Sequence, residues 1–335
     1  MTDPLVLGAD LGGTSTRVLV AALDGRPVGW GAAGGGNPLS HPGVAAGELE
    51  KALALALAGV DAARVVSAVV GTAGGASSGD RGDEGFFGRL WAKALPSCVP
   101  RHCSDLEVAF ASGTPAPHGT VLVAGTGAAA GVVRDHVVVR SFDGHGWLLG
   151  DDGAGFWLGR QGLRATLRAL DAREPLGVLG ARIVESLLGE GPHPSGEALR
   201  EELILAAYAG PPVRLAGLSR AVGSARDAGD TEATDIMGRA TQLLSSLALR
   251  AQEAGGDAAA PLVLAGGVVA ALSQMGHGLR AALAGHDLHI ARDGLGGATW
   301  LALHTLDPAL ATEEAHRLLT TAPTWPVSGN SPPDG

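Results

Sequence analysis

Apolar residues in this chain fall into short runs broken by glycine, and one arrangement occurs twice. Leu5-Val-Leu-Gly-Ala-Asp-Leu11 passes through Gly12-Gly13-Thr14 into the apolar run 18–23, and Thr120-Val-Leu-Val-Ala124 passes through Gly125-Thr126-Gly127 into 128–133. Each reads as strand, tight turn, strand, since runs of this length suit buried strands and glycine supplies the turn. Asp24-Gly25 signals the next turn, and residues 27–33 predict a third antiparallel strand. Glu48, Glu50 and Lys51 set against Leu49, Leu53, Ala56 and Leu57 predict a helix over 44–57. A buried strand over 64–70 leads to a loop over 71–85, a helix around 86–95, a strand over 99–104 and a helix over 106–111. The second half predicts strands at 121–124, 129–134 and 137–142, a loop over 143–153 and a largely helical region over 155–253. Strands at 262–267 and 288–291 and a helix over 296–304 follow, and the proline-bearing tail 322–335 predicts disorder. The fold class is α/β: each half is a three-stranded meander continued by crossovers. The small-residue stretch 113–119, with Pro115 and Pro117, divides a lobe over 1–116 from one over 117–321 that carries a helical insertion.

Composition narrows the function mainly by exclusion. A chain of 335 residues that is 46% hydrophobic can fill two cores. Its longest apolar run, 258–272, is broken by Pro261, Gly266 and Gly267, so no membrane span is expected. The start carries Asp3 and Asp10 without basic residues, so no secretory signal is expected. Cys98 and Cys103 offer no disulfide framework and read as free thiols of a cytoplasmic protein. An excess of 34 acidic over 24 basic residues speaks against a nucleic-acid partner. Lysine occurs only at 51 and 93, outside any Gly-Lys-Ser/Thr, which excludes the usual P-loop. A phosphate cradle must rest on backbone amides, hydroxyls, an arginine such as Arg17 and a metal ion.

Chemistry concentrates where glycines meet acids. Asp10 ends the first strand beside Gly12, Gly13 and Thr14; a carboxylate there can hold Mg2+ through water, or accept the turn's own amides. Thr14 and Thr126 are hydroxyl donors to phosphate. Asp105, at the end of another strand, can take the proton from a hydroxyl attacking a phosphate, or cap the helix from Leu106. Glu107 reads as a solvated first-turn acid. In the loop, Gly144, His145, Trp147 and Asp151 are candidates for substrate contact, with Asp152 expected as the cap of the next helix. Asn37 is a candidate substrate amide or a plain loop turn. Gly266 and Gly267 can pass beneath an adenine ring or form a tight strand-to-helix turn. Gly75-Ala-Ser-Ser-Gly79 matches a nucleophile elbow, but Ser77 leads into further glycines rather than a helix and reads as a mobile loop.

Taken in order, these motifs resemble those of the BadF-type ATPase and N-acetylglucosamine kinase family of the actin–hexokinase superfamily. Asp10-Leu-Gly-Gly-Thr14 resembles the first phosphate motif and Gly125-Thr-Gly127 the second. Ser104-Asp105, with Ala109 four residues beyond the acid, resembles the segment carrying the catalytic base, and Gly150-Asp-Asp-Gly-Ala-Gly-Phe-Trp157 the sugar-contacting segment. Leu264-Ala-Gly-Gly267 and Gly296-Gly-Ala298 resemble the adenosine side. The resemblance covers about residues 5–305. It implies two actin-like (ribonuclease H-like) lobes around a nucleotide and sugar cleft, with ATP and Mg2+ as cofactors and Asp105 as base. It further implies phosphorylation of an amino sugar at the 6-hydroxyl and a homodimer. His145 stands where these kinases commonly have tryptophan, and Asp152 and Ala154 replace Glu and Ser. The sequence resembles actinobacterial glucosamine kinases, and D-glucosamine is the expected substrate. The alternatives are an N-acetylglucosamine kinase and an ATPase that activates another enzyme through an iron–sulfur cluster.

Overall fold

The computed structural model describes residues 3–38, 43–74, 86–269, 274–292 and 294–321. The elbow-like stretch 75–79, most of the expected loop 71–85 and the tail 322–335 lie outside the described residues. The chain forms β1 (Leu5–Leu11), β2 (Thr16–Ala22), β3 (Pro27–Ala33), α1 (Ala45–Ala56), β4 (Val65–Thr72), α2 (Phe86–Ala94), β5 (Arg101–Ser104) and α3 (Asp105–Gly113). It continues with β6 (Gly119–Ala124), β7 (Ala128–Arg134), β8 (Val137–Asp143), α4 (Gly155–Asp171), α5 (Val178–Leu188), α6 (Glu197–Tyr208), α7 (Ser219–Asp227) and α8 (Thr231–Gly255). The last elements are β9 (Leu262–Ala265), α9 (Gln274–Ala282), β10 (Leu288–Ile290), α10 (Leu295–Leu306) and α11 (Glu313–Thr320). Two units result, Met1–Pro115 with Asp293–Gly335, and Ala116–Arg292. Each holds a five-stranded sheet of the same topology, β3-β2-β1-β4-β5 in the first and β8-β7-β6-β9-β10 in the second.

In the first unit β1 is central, and its side chains alternate between two cores as the period of a strand requires. Leu5, Leu7, Ala9 and Leu11 join Leu49, Leu53, Leu90 and Trp91 of α1 and α2. Val6 faces the other way, into a core of Val108, Ala111, Leu295, Ala298, Trp300 and Leu301 from α3 and α10. A central strand must be covered on both faces, and α10 supplies the second cover. This corrects the expected division, which gave 117–321 to the second lobe. α10 is apolar nearly all round and buried along most of its length, and such a helix is stable only inside a core.

The second unit buries β6 and β9 against a helical layer. Leu122, Leu262 and Leu264 pack with Leu163 of α4, Ile183 of α5, Val222 of α7 and Leu244 of α8. The long helical region of the sequence is divided by Pro175, Gly189, Pro211 and Gly229 into α4–α8. Asp230 organises two of these helices at once, accepting the Ala233 N–H at the start of α8 and the Leu179 N–H at the start of α5. Among the described residues no helix is long and apolar enough to cross a membrane.

The closeness of α10 to β1 gives a stability test. A Cβ on Gly8 would strike the backbone of Thr299. Gly8→Ala should therefore lower stability by about 1–3 kcal/mol, the usual cost of overpacking a core. Gly238→Ala, on α8 with nothing within 4 Å, should be neutral or stabilising by up to about 1 kcal/mol. Urea denaturation of the two variants checks this, and equal midpoints would contradict the packing of α10 on β1.

Candidate functional site

In the first unit the carboxyl ends of β1, β4 and β5 align, with Leu11 beside Thr72 and Thr72 beside Ser104. Ligands collect at such ends in open α/β sheets. The Gly12–Ser15 turn is closed by the Gly12 N–H donating to the Ser15 carbonyl at 2.9 Å. The Gly12 carbonyl accepts N–H groups from Gly36 and Asn37 at 3.2 Å each. In a trans peptide the amide points opposite the carbonyl, so the Gly13 N–H is turned away from that loop. Thr14 is exposed at the tip. Arg17 lies opposite Asp10 in the β1–β2 register and braces the turn through Nε and Nη2, which donate to Ser15 Oγ at 3.2 and 3.1 Å. Asn37 is buried, and its side-chain amide donates to the Ala73 carbonyl at 3.1 Å. It thus ties the loop after β3 to the turn and to the end of β4.

Two carboxylates stand at this edge. Asp10 is half-buried, and its Oδ2 accepts the Gly294 N–H at 3.2 Å, where α10 begins. Asp105 is the first residue of α3, but it is not the cap. Ser104 is: its Oγ accepts the Glu107 N–H at 3.2 Å, and Glu107 Oε2 accepts the Ser104 N–H at 2.6 Å and hydroxyl at 2.9 Å. Glu107 is accordingly buried, which corrects the expectation of a solvated acid. Ser104-Asp-Leu-Glu107 is the Ser-x-x-Glu capping box, and this signal was present in the sequence. With the cap made by its neighbours, Asp105 keeps its carboxylate for other work. Its pKa is raised above the ordinary aspartate value, first by burial and further by the charge of Glu107, against the opposing Leu106 N–H, which donates to Oδ1 at 3.1 Å.

In the second unit the Gly125–Gly127 turn and the start of α4 are joined through the backbone. The Gly155 N–H donates to the Gly125 carbonyl at 2.8 Å, and the Phe156 N–H to the Thr126 carbonyl at 3.0 Å. The residue before α4 is Ala154, with no side-chain cap. This corrects the assignment of that role to Asp152, which is exposed: carbonyls of the turn already satisfy the helix's first amides. Because those two carbonyls point at α4, the N–H groups of Thr126 and Gly127 point away from it, as a phosphate cradle needs. At the neighbouring edge β9 runs parallel to β6, with Ala265 beside Val123. Gly266 adopts φ +98° so close to Ala124 that no side chain would fit, and Gly267 is exposed with open space around it. Turn, helix start and glycine pair therefore share one end of the sheet. Gly296 and Gly297 lie in α10 of the first unit, where the Gly297 N–H donates to Ser112 Oγ at 2.7 Å and their faces are filled by helix packing.

Asp151 is buried and left-handed, φ +61°. Its Oδ1 accepts the Ala128 N–H at 3.0 Å, and its carboxyl occupies the space a side chain on Gly127 would need. Burial raises its pKa, opposed by the Ala128 amide and reinforced by the charges of Asp143 and Asp152. The outer face of the same loop is formed by Gly144, His145, Trp147, Leu148, Leu149 and Asp152, all exposed. The Trp147 ring lies 5.3 Å from that of Phe156 on α4. Cys103 is buried, its thiol pushed up to about 12 by burial and by Glu107, and burial also raises the half-buried Cys98.

The model of the BadF/BadG/BcrA/BcrD ATPase family matches residues 7–292. A search of curated protein sequences gave no match. Similar solved structures include a protein from Chromobacterium violaceum provisionally named N-acetylglucosamine kinase. It has 21% identity and a TM-score of 0.66, over 90% of this chain and 99% of that one. A provisionally named N-acetylglucosamine kinase from Porphyromonas gingivalis has 19% identity and a TM-score of 0.69, over 90% and 99%. A ROK hexokinase from Thermus thermophilus has 19% identity and a TM-score of 0.56, over 91% and 99%. These likenesses are of fold, and they place the paired five-stranded sheets in the actin-like class. With the family model matched over most of its length, the chain belongs to the BadF/BadG/BcrA/BcrD ATPase family.

Proposed function

We propose that the protein is a sugar kinase that transfers the γ-phosphoryl group of ATP to the 6-hydroxyl of an amino sugar, with D-glucosamine preferred. The observation that carries this reading is Asp105, a carboxylate at the end of β5 released from helix capping and poised by burial as a proton acceptor. As the sugar oxygen bonds to the γ-phosphorus and the bond to the β-phosphate oxygen breaks, Asp105 takes the hydroxyl proton. On the first unit the Thr14 amide and hydroxyl, and on the second the amides of Thr126 and Gly127 with the Thr126 hydroxyl, are the groups offered to phosphate oxygens, and Gly266–Gly267 lies along the adenosine. Arg17 acts on the first turn through Ser15. Asp10 offers the hard carboxylate oxygen that Mg2+ uses when water and phosphates complete its shell, and the ion when bound would neutralise phosphate charge. The acceptor is met by the outer face of the 144–152 loop, where the exposed Asp152 suits an ammonium better than Asp151, whose Oδ1 is engaged by Ala128.

The alternative of an iron–sulfur activator is less well supported. Cluster ligands must reach the iron, whereas Cys103 is buried in the core of the first unit among Val69, Val108 and Leu295, which leaves Cys98 as the one thiol nearer the surface. Iron bound to the purified protein would favour that alternative.

Asp105→Asn should reduce turnover by roughly 10²–10⁴-fold, the usual loss of a general base, while sugar binding changes little. A base works only when deprotonated, and the raised pKa keeps Asp105 protonated to higher pH than an ordinary aspartate. The acid limb of kcat/KM should therefore lie above the usual carboxylate range and disappear in the variant. Near-normal turnover of Asp105→Asn would remove it from the chemistry.

For the acceptor, glucosamine should show the higher kcat/KM in side-by-side kinetics with N-acetylglucosamine. Asp152→Asn should cut the glucosamine value by about tenfold, the worth of one charge-assisted hydrogen bond, and leave N-acetylglucosamine unchanged. Higher efficiency on N-acetylglucosamine in the unaltered protein would overturn amine recognition.

A further inference from the structure

Asp143 ends β8 in the left-handed region, φ +60°, with its carboxylate turned into the loop it begins. Its Oδ1 accepts the Asp151 N–H at 3.0 Å, with the His145 N–H at 3.5 Å and His145 Nδ1 at 3.7 Å. A side chain on Gly150 would collide with this oxygen. The next residue, Gly144, donates its N–H to the Ala128 carbonyl at 3.0 Å, and Asp151 takes the Ala128 N–H. Ala128 is thus pinned through both backbone groups by the two ends of one loop, and it directly follows Gly127.

We infer that Asp143 is a positioning residue: through Asp151 it holds the Gly125–Gly127 turn in the form that receives nucleotide phosphate. The inference rests on the reading of that turn as the phosphate site. Asp143 and Asp151 are both non-glycine residues in the left-handed region, where such residues are uncommon and cost energy unless the surroundings enforce them. Each would relax without the hydrogen bond between them. Two neighbouring carboxylates also repel, and the charge of Asp143 adds to the rise that burial gives the Asp151 pKa. An arrangement strained in both ways is kept for its geometry, because donors already in place need no reordering when phosphate arrives. The loop then has two faces with different tasks. The inner one sets the nucleotide turn, and the outer one meets the acceptor.

The test is the affinity of the full-length protein for a non-hydrolysable ATP analogue with Mg2+ and no sugar. Asp143→Gly removes the acceptor oxygen without a φ penalty, and Asp143→Asn keeps an oxygen in place and tolerates the left-handed region. Asp143→Gly should weaken analogue binding by about tenfold and raise the KM for ATP with kcat little changed, while Asp143→Asn stays within about twofold of wild type. A merely structural role would lower the active fraction and leave the Kd of the folded protein unaltered. Thr126→Ala serves as the control for the underlying reading. If it weakens binding and Asp143→Gly does not, the positioning role is wrong; if neither variant alters binding, the turn is not the phosphate site. Equal loss in the Asn and Gly variants would overturn the hydrogen bond as the cause. Should Asp143→Gly not fold, Asp143→Ser, too short to reach the Asp151 amide, takes its place with the same expected loss.

Discussion

The first amides of a helix must find acceptors, and in this protein the way each helix near the sheet ends meets that demand fixes the chemistry around it. α3 is capped by the Ser104 and Glu107 side chains, which leaves Asp105 with its carboxylate uncommitted to the cap. α4 takes its acceptors from the carbonyls of Gly125 and Thr126, and the same peptide planes then turn two amides the other way. α10 begins on the carboxylate of Asp10. A backbone accounting rule thus determines which polar groups remain at the carboxyl ends of both sheets.

Burial sets the electrostatics of these groups, and its consequences differ with the hydrogen bonds available. Asp105 and Asp151 both have raised pKa values, with loss of water as the main cause. Asp151 is tied to the Ala128 amide and belongs to the scaffold of its turn. Asp105 is met by the backbone N–H groups of Leu106 and of its own residue, and under the proposed function the same physical perturbation suits it to accept a proton. Glu107, although acidic and only two residues on, is consumed by the cap.

The strands, their order and the two glycine turns were legible in the sequence because buried strands leave uninterrupted apolar runs and turns leave glycine. The division of the chain was less so. α10 follows the second lobe's strands in sequence, and nothing local to residues 295–306 tells which sheet needs a cover; that follows from the unpaired face of β1, far away in the chain. Asp105 was found by its place after a strand, but its cap was assigned without weighing Ser104 and Glu107 as a pair. Asp152 was taken for a cap because side-chain caps can be read from sequence, whereas capping by another turn's carbonyls cannot. Asp143 escaped notice for the same reason: Asp143-Gly144 signals a turn, but its partner, the Asp151 amide, is a backbone group that residue types do not name.

The central claim is that the phosphoryl group goes to a sugar oxygen rather than to water. Phosphorus NMR of a reaction containing the purified protein, ATP, Mg2+ and glucosamine tests it most directly. The account predicts a sugar 6-phosphate resonance that grows in step with ADP and needs the intact Asp105. ADP accompanied only by inorganic phosphate, at a rate indifferent to every amino sugar supplied, would contradict it.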